Sequence, residues 1–186
     1  DTRLMPAQQE AVVSMAANTV VTAGAGSGKT RVVVQRLLWL MRARTEASNI
    51  LAITFTNKAA DEMRHRLQDL VRKGGGDDRT MPTICTCHAF CVRVIRSLPH
   101  MVGRTERFWI LDEADTEEFI RRAGRAVGST QTKLQALRRD ERVMAEYANA
   151  LRAADAVDFD MLEEGALRIL REPEGRALWA GRFTDV

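Results

Sequence analysis

The stretch "VVTAGAGSGKTRVVV", residues 20–34, decides the fold. Apolar residues run into a turn holding three glycines, Gly24, Gly26 and Gly28, and then into Lys29, Thr30 and further apolar residues. Lys29 is one of only four lysines among 28 basic residues. Glycines at this spacing let the backbone curl so that successive N–H groups point inward at an anion. A helix starting at the lysine adds its positive N-terminal end. The pattern G-x-x-x-x-G-K-[ST] is met with one change, Ala23 in place of the first glycine. The stretch therefore reads as a nucleoside triphosphate site formed by Ala23, Gly24, Ala25, Gly26, Ser27, Gly28, Lys29, Thr30 and Arg31. Lys29 is placed to reach the β- and γ-phosphates, and the Thr30 hydroxyl to hold Mg²⁺. A glycine-rich turn with an incidental lysine is the bland alternative. The strand pattern before the loop and the helix pattern after it weigh against that alternative.

Working outward, "PAQQEAVVSMAA" (6–17) reads as a helix with Pro6 in its first turn. "TVVTA" (19–23) reads as a buried strand, residues 29–44 as a helix, and "ILAITF" (50–55) as a second buried strand. "NKAADEMRHRLQDLVRK" (57–73) is a charged amphipathic helix and "GGGDD" (74–78) a surface loop. "TICTC" (83–87) predicts a third strand and "HAFCVRVIRSL" (88–98) its helix. Alternating strands and helices imply a parallel sheet with helices on its faces. After residue 112 the strands stop, and 116–127, 138–154 and 160–172 are helical in pattern. "RFTDV" (182–186) resembles the start of another strand.

The 186 residues allow one large or two small domains, and 45% hydrophobic residues suffice for a core. A net charge of +3 says little about partners without a local pattern. No apolar run is long enough to span a membrane, and the first residues lack a signal-peptide pattern. Three cysteines, Cys85, Cys87 and Cys91, make a secreted disulfide framework a poor fit, so a reduced cytoplasmic protein is expected. With His88 they could suggest a metal cluster, but structural zinc sites pair two knuckles, and a second pair is missing. Three buried thiols is the better reading.

Other segments say what the nucleotide serves. "ILAITFTNKAADEM" (50–63) closely resembles motif Ia of the UvrD/Rep/PcrA-like superfamily 1 helicases. "LMPAQQEAV" (4–12) is similar to their Q motif, with Met5 where asparagine is usual, and "TICTCHAFC" (83–91) to their motif Ib, with Cys87 and Ala89 replacing phenylalanine and serine. The resemblance implies an α/β P-loop NTPase fold: a RecA-like parallel sheet with flanking helices, plus a smaller helical subdomain. It divides the chain into an ATP-binding 1A part (1–111), a helical 1B-like part (112–181) and the start of a returning 1A strand (182–186). It implies ATP and Mg²⁺ as cofactors, Gln8 reading the adenine edge, and single-stranded DNA held by Thr54, Phe55, Thr56, Asn57, Thr86, His88 and Phe90. Chemically, Phe55 is a ring on which a base can stack, while the threonines and Asn57 are short hydrogen-bonding groups. An ordinary junction with a core phenylalanine and an asparagine cap is the plain alternative for 54–57. The implied activity is ATP-dependent 3′→5′ translocation on single-stranded DNA in repair or replication, within an enzyme that also has a second lobe and acids beyond residue 186. A nuclease-linked relative is a further possibility.

"FWILDEADTEEF" (108–119) competes with this assignment. Its acids Asp112 and Glu113 follow an apolar run, as the metal-binding and water-activating pair of a superfamily 2 DEAD-box RNA helicase would. The flanking motifs resemble superfamily 1, in which a similar segment lies outside the ATP site. Asp115, Thr116, Glu117 and Glu118 then start an acidic-first helix. A non-hydrolysing nucleic-acid-binding module is the remaining rival, and the intact Gly28-Lys29-Thr30 argues against it. "DAVDFDMLEEGALRIL" (155–170) is similar to a segment that in the family precedes the strand carrying the catalytic acids. On this basis the chain is expected to be a fragment with weak nucleotide binding and little hydrolysis of its own. Residues 128–138 are short for the family's insertion.

Overall fold

A computed structural model describes residues 4–77 and 79–186. Residues 1–3 of the expected 1A part and Asp78 of the expected 74–78 loop lie outside the described residues. The chain divides into two compact units, Asp1–Cys87 with Ala180–Val186, and His88–Trp179.

In the first unit, helix α1 (Pro6–Val13) packs on α2 (Lys29–Ala43). Strand β1 (Leu51–Thr54), helix α3 (Asn57–Lys73) and strand β2 (Thr83–Thr86) follow. α3 shows why these residues choose a helix. Ala60, Met63, Leu67 and Val71 recur at spacings of three and four and are its buried residues. The solvent face carries the ion pairs Asp61–Arg64 and Glu62–Arg66, and Arg72 and Lys73 stand at the negative end of the dipole. The buried stripe meets Val34, Leu37, Leu38 and Leu40 of α2 in one core with Ile50 and Ile84. Val33, which fits the apolar spacing of α2, is instead 41% exposed. Burial of a side chain such as Leu67 contributes about 1.5–3 kcal/mol.

β1 and β2 are parallel and in register from Leu51 opposite Thr83 to Thr54 opposite Thr86. Leu51 and Ala52 are buried while Ile53 is 42% exposed. On the other edge of β1, Ile50 bridges Asp185 in parallel, and the Leu51 amide donates to the Asp185 carbonyl at 2.9 Å. This contact is a single bridge, and residues 182–186 form no strand of their own.

The buried strand expected at 19–23 does not form: these residues have no strand conformation, and Val20 is 90% exposed. A buried parallel strand needs hydrogen-bonding neighbours and a covered face. Among the described residues no strand lies alongside this segment, so β-branched composition alone does not order it.

The second unit is mainly helical. It holds α4 (Cys87–Ser97, which begins at the division), β3 (Trp109–Ile110), α5 (Glu113–Ala126), α6 (Leu134–Leu137), α7 (Glu141–Ala153), β4 (Ala156–Val157), α8 (Phe159–Arg171) and α9 (Pro173–Trp179). Val94 and Ile95 of α4 pack with Leu162 and Ile169 of α8; Ile120 and Ala123 of α5 pack with Val143, Tyr147 and Leu151 of α7. The parallel pair β3–β4 corrects the expectation that strands stop after residue 112. Two-residue strands carry too little alternation to be seen in sequence. Beside β4, the buried Tyr147 hydroxyl donates to Asp158 Oδ2 at 2.6 Å, and Asp158 Oδ1 accepts the Met161 amide at 2.8 Å, capping α8. Burial, then the Asp158 carboxylate, push the Tyr147 phenol well above its ordinary pKa.

Candidate functional site

The loop between residues 23 and 31 takes the conformation its glycines permit. Gly26 and Gly28 have φ of 76° and 86°, in the left-handed region that disfavours any side chain. Gly28 is also the N-cap of α2, so Lys29, Thr30 and Arg31 form its first turn. No side chain caps that turn, and its amides point along the positive end of the helix dipole. Lys29 Nζ donates to the carbonyls of Ala23 at 2.9 Å and Gly24 at 2.7 Å, folding back over the loop it follows. The Ser27 hydroxyl donates to the Gly24 carbonyl at 2.8 Å and closes the turn. Ala25 and Thr30 are exposed, and the half-buried Arg31 holds a buried Nη2 atom without a hydrogen-bond partner. This donor set, one ammonium, uncapped amides and the exposed Thr30 hydroxyl, is positive or hydrogen-donating. It fits a polyphosphate with its counter-cation.

Gln8 comes to the same place from α1. Its Nε2 donates to the Ser27 carbonyl at 3.0 Å, and its Oε1 accepts the Met5 amide at 2.9 Å. The residue expected to read a base is thus beside the loop, with its amide also bracing it.

The second group of predicted residues clusters in part. Thr54 and Thr86 are register partners, so the C-terminal ends of β1 and β2 lie side by side. Phe55 follows Thr54 and is 96% exposed. Thr56 is the N-cap of α3, its Oγ1 accepting the Ala59 amide at 3.1 Å, and Asn57 opens the helix. Phe55 is therefore not a core residue and Asn57 not the cap, so the plain alternative for 54–57 fails on both counts. A large ring left in solvent at a strand end is a surface for stacking.

His88 and Phe90 belong to the second unit. The His88 Nε2 lies 3.2 Å from Glu163 Oε1, and its ring is 4.8 Å from that of Phe159. Phe90 is half-buried, edge-on to Trp179 at 5.4 Å. Glu163 as a neighbour of His88 escapes sequence reasoning, because 75 positions separate the two. Cys85 and Cys91 are buried but Cys87 is exposed, correcting the expectation of three buried thiols. Among the described residues no group of three or more His, Cys, Asp or Glu side chains is placed to hold a metal ion.

Asp112 is the N-cap of α5, its Oδ1 accepting the Asp115 amide at 2.8 Å, and Glu113 and Asp115 lie in the first turn. The helix begins three residues earlier than Thr116, and the letters DEAD spell its cap and acidic start.

Residues 4–140 match the model of the UvrD/REP helicase N-terminal domain. The ATP-dependent DNA helicase UvrD1 of Mycobacterium tuberculosis is 33% identical over 217 aligned positions, covering 98% of this chain and 28% of that protein. The ATP-dependent DNA helicase PcrA of Bacillus subtilis is 44% identical over 119 positions, covering 63% of this chain and 16% of that protein. PcrA of Staphylococcus aureus is 41% identical over 115 positions. The chain thus spans 28% or less of these relatives' lengths. The 217 positions aligned with UvrD1 exceed the chain's 186 residues, so that relative carries residues this chain lacks.

Proposed function

The chain belongs to the UvrD/REP helicase N-terminal domain family, and on that premise we propose that it is the ATP-binding part of an ATP-dependent DNA helicase. In this reading the enzyme translocates 3′→5′ on single-stranded DNA in repair or replication. The 1A part (1–111), the 1B-like part (112–181) and the start of a returning 1A strand (182–186) are its proposed divisions. A second lobe and the hydrolytic acids come from elsewhere in the whole enzyme.

The observation that carries the proposal is the loop at 23–31: two left-handed glycines, an uncapped helix start and Lys29 folded over it. The amides of residues 24–30 bind phosphate oxygens, Lys29 neutralises the outer phosphates, and Thr30 holds Mg²⁺ by its hydroxyl. Gln8 serves the nucleoside end. The bound Mg²⁺ supplies charge neutralisation for phosphoryl transfer. In the first unit Thr54, Phe55, Thr56, Asn57 and Thr86 at the strand ends contact the DNA; in the second unit His88 and Phe90 are proposed DNA contacts in their own right. Nucleotide-driven switching between two grips gives net movement.

The test is DNA-stimulated ATP turnover in the full-length protein. Lys29→Ala is expected to abolish it; normal turnover would remove the phosphate assignment. Phe55→Ala is expected to weaken single-stranded DNA binding by about 5- to 150-fold, the equivalent of about 1–3 kcal/mol of stacking. Unchanged affinity would remove Phe55 from the DNA path.

A further inference from the structure

Arg36 sits two turns into α2, with its guanidinium carbon 6.0 Å from the ring centre of Trp39. Its Nη1 donates toward the carbonyl oxygens of Ala11 at 3.3 Å, Val12 at 3.0 Å and Ser14 at 3.0 Å. These carbonyls belong to the C-terminal end of α1, where a helix leaves acceptors without intrahelical partners and its dipole is negative. α1 has eight residues, of which Val12 is the buried one. So short a helix does not hold itself in water. A charge-assisted cluster of hydrogen bonds is therefore a principal tie between α1 and α2.

The other end of α1 carries Gln8, whose amide touches the Ser27 carbonyl. A Cβ built on Gly28 would lie 3.2 Å from Gln8 Nε2, so side chain and loop are in close contact. Arg36 thus anchors one end of a short rod whose other end meets the phosphate loop. The phosphate-facing groups stand on the loop and on α2 itself, where Lys29 and Ser27 also close the loop on the Ala23 and Gly24 carbonyls. Gln8 is the group of the site that α1 carries.

We propose that Arg36 is a positioning residue that sets adenine selectivity by fixing α1, and with it the Gln8 amide, against the phosphate loop. The proposal rests on the nucleotide site described above. It separates two functions that a common structural role would leave together: base selectivity depends on Arg36, and phosphate affinity does not.

The experiment titrates Mg²⁺-ATP, Mg²⁺-GTP and Mg²⁺-tripolyphosphate into the full-length wild-type protein and its Arg36→Met, Arg36→Lys and Lys29→Ala variants. Arg36→Met is expected to weaken ATP binding about tenfold, to bring the ATP/GTP ratio close to one, and to leave tripolyphosphate affinity within about twofold. Arg36→Lys, which keeps a charge and a donor, recovers part of the preference. Wild-type ATP/GTP ratios in both Arg36 variants would overturn the proposal. So would loss of tripolyphosphate binding in both, since the arginine would then support the whole unit. If the wild type binds none of the three ligands, or Lys29→Ala binds them equally well, the nucleotide site itself is refuted and the Arg36 proposal falls with it.

Discussion

At residue scale, the site is made by a few side chains whose type forces their position. Gly28 is the clearest. Its φ of 86° disfavours any side chain, and a Cβ there would press on Gln8 Nε2 at 3.2 Å. Gly28→Ala is expected to cost about 1–2 kcal/mol from the left-handed conformation and to weaken nucleotide binding, both read by denaturation and ligand titration. Wild-type values in both would show that the loop tolerates a side chain. Gly26, Gly28 and Lys29 were legible in the sequence because only glycine satisfies that backbone and a lysine after it has a chemical use. The exposure of Phe55 was not legible, since phenylalanine is by type as ready for a core as for a stacking surface. Arg36 was invisible for another reason: its acceptors are backbone carbonyls 22 to 25 positions away, which no side-chain pattern encodes.

At the scale of elements, caps and stripes decide what forms. The Asp112 carboxylate accepts the Asp115 amide and starts α5. Asp112→Ala should therefore lower stability by about 1 kcal/mol, the usual worth of such a cap, with nucleotide turnover of the full-length protein unchanged. Lost turnover at unchanged stability would instead make Asp112 a catalytic acid. The long helices α3, α5, α7 and α8 were readable from their apolar spacing, and in α3 the sequence boundaries coincide with the observed Asn57–Lys73. The strand at 19–23 was misread because Val20 and Val21 favour extended structure without supplying the neighbours a strand needs. β3 and β4 were missed for the opposite reason, being paired through the sheet rather than marked by composition.

At the scale of the whole molecule, each unit rests on its own core. Leu67→Ala empties a fully buried site in the first and should cost about 2–5 kcal/mol by chemical denaturation; a loss below that range would mean that the surrounding side chains collapse into the space. In the second, Tyr147→Phe leaves Asp158 without its buried donor and should cost about 1–3 kcal/mol near neutral pH. Because the folded phenol is held protonated above its ordinary pKa, its contribution is complete below that ordinary value and is lost as pH rises through the folded value. The variant should accordingly show a shallower alkaline loss of stability than the wild type, and identical profiles would count against the coupling. The central claim is that the amides of residues 24–30 enclose a polyphosphate. Hydrogen exchange with and without Mg²⁺-ATP tests it most directly: protection of residues 24–31 that vanishes in Lys29→Ala is predicted, whereas protection centred on residues 112–115, or none that depends on Lys29, would contradict it.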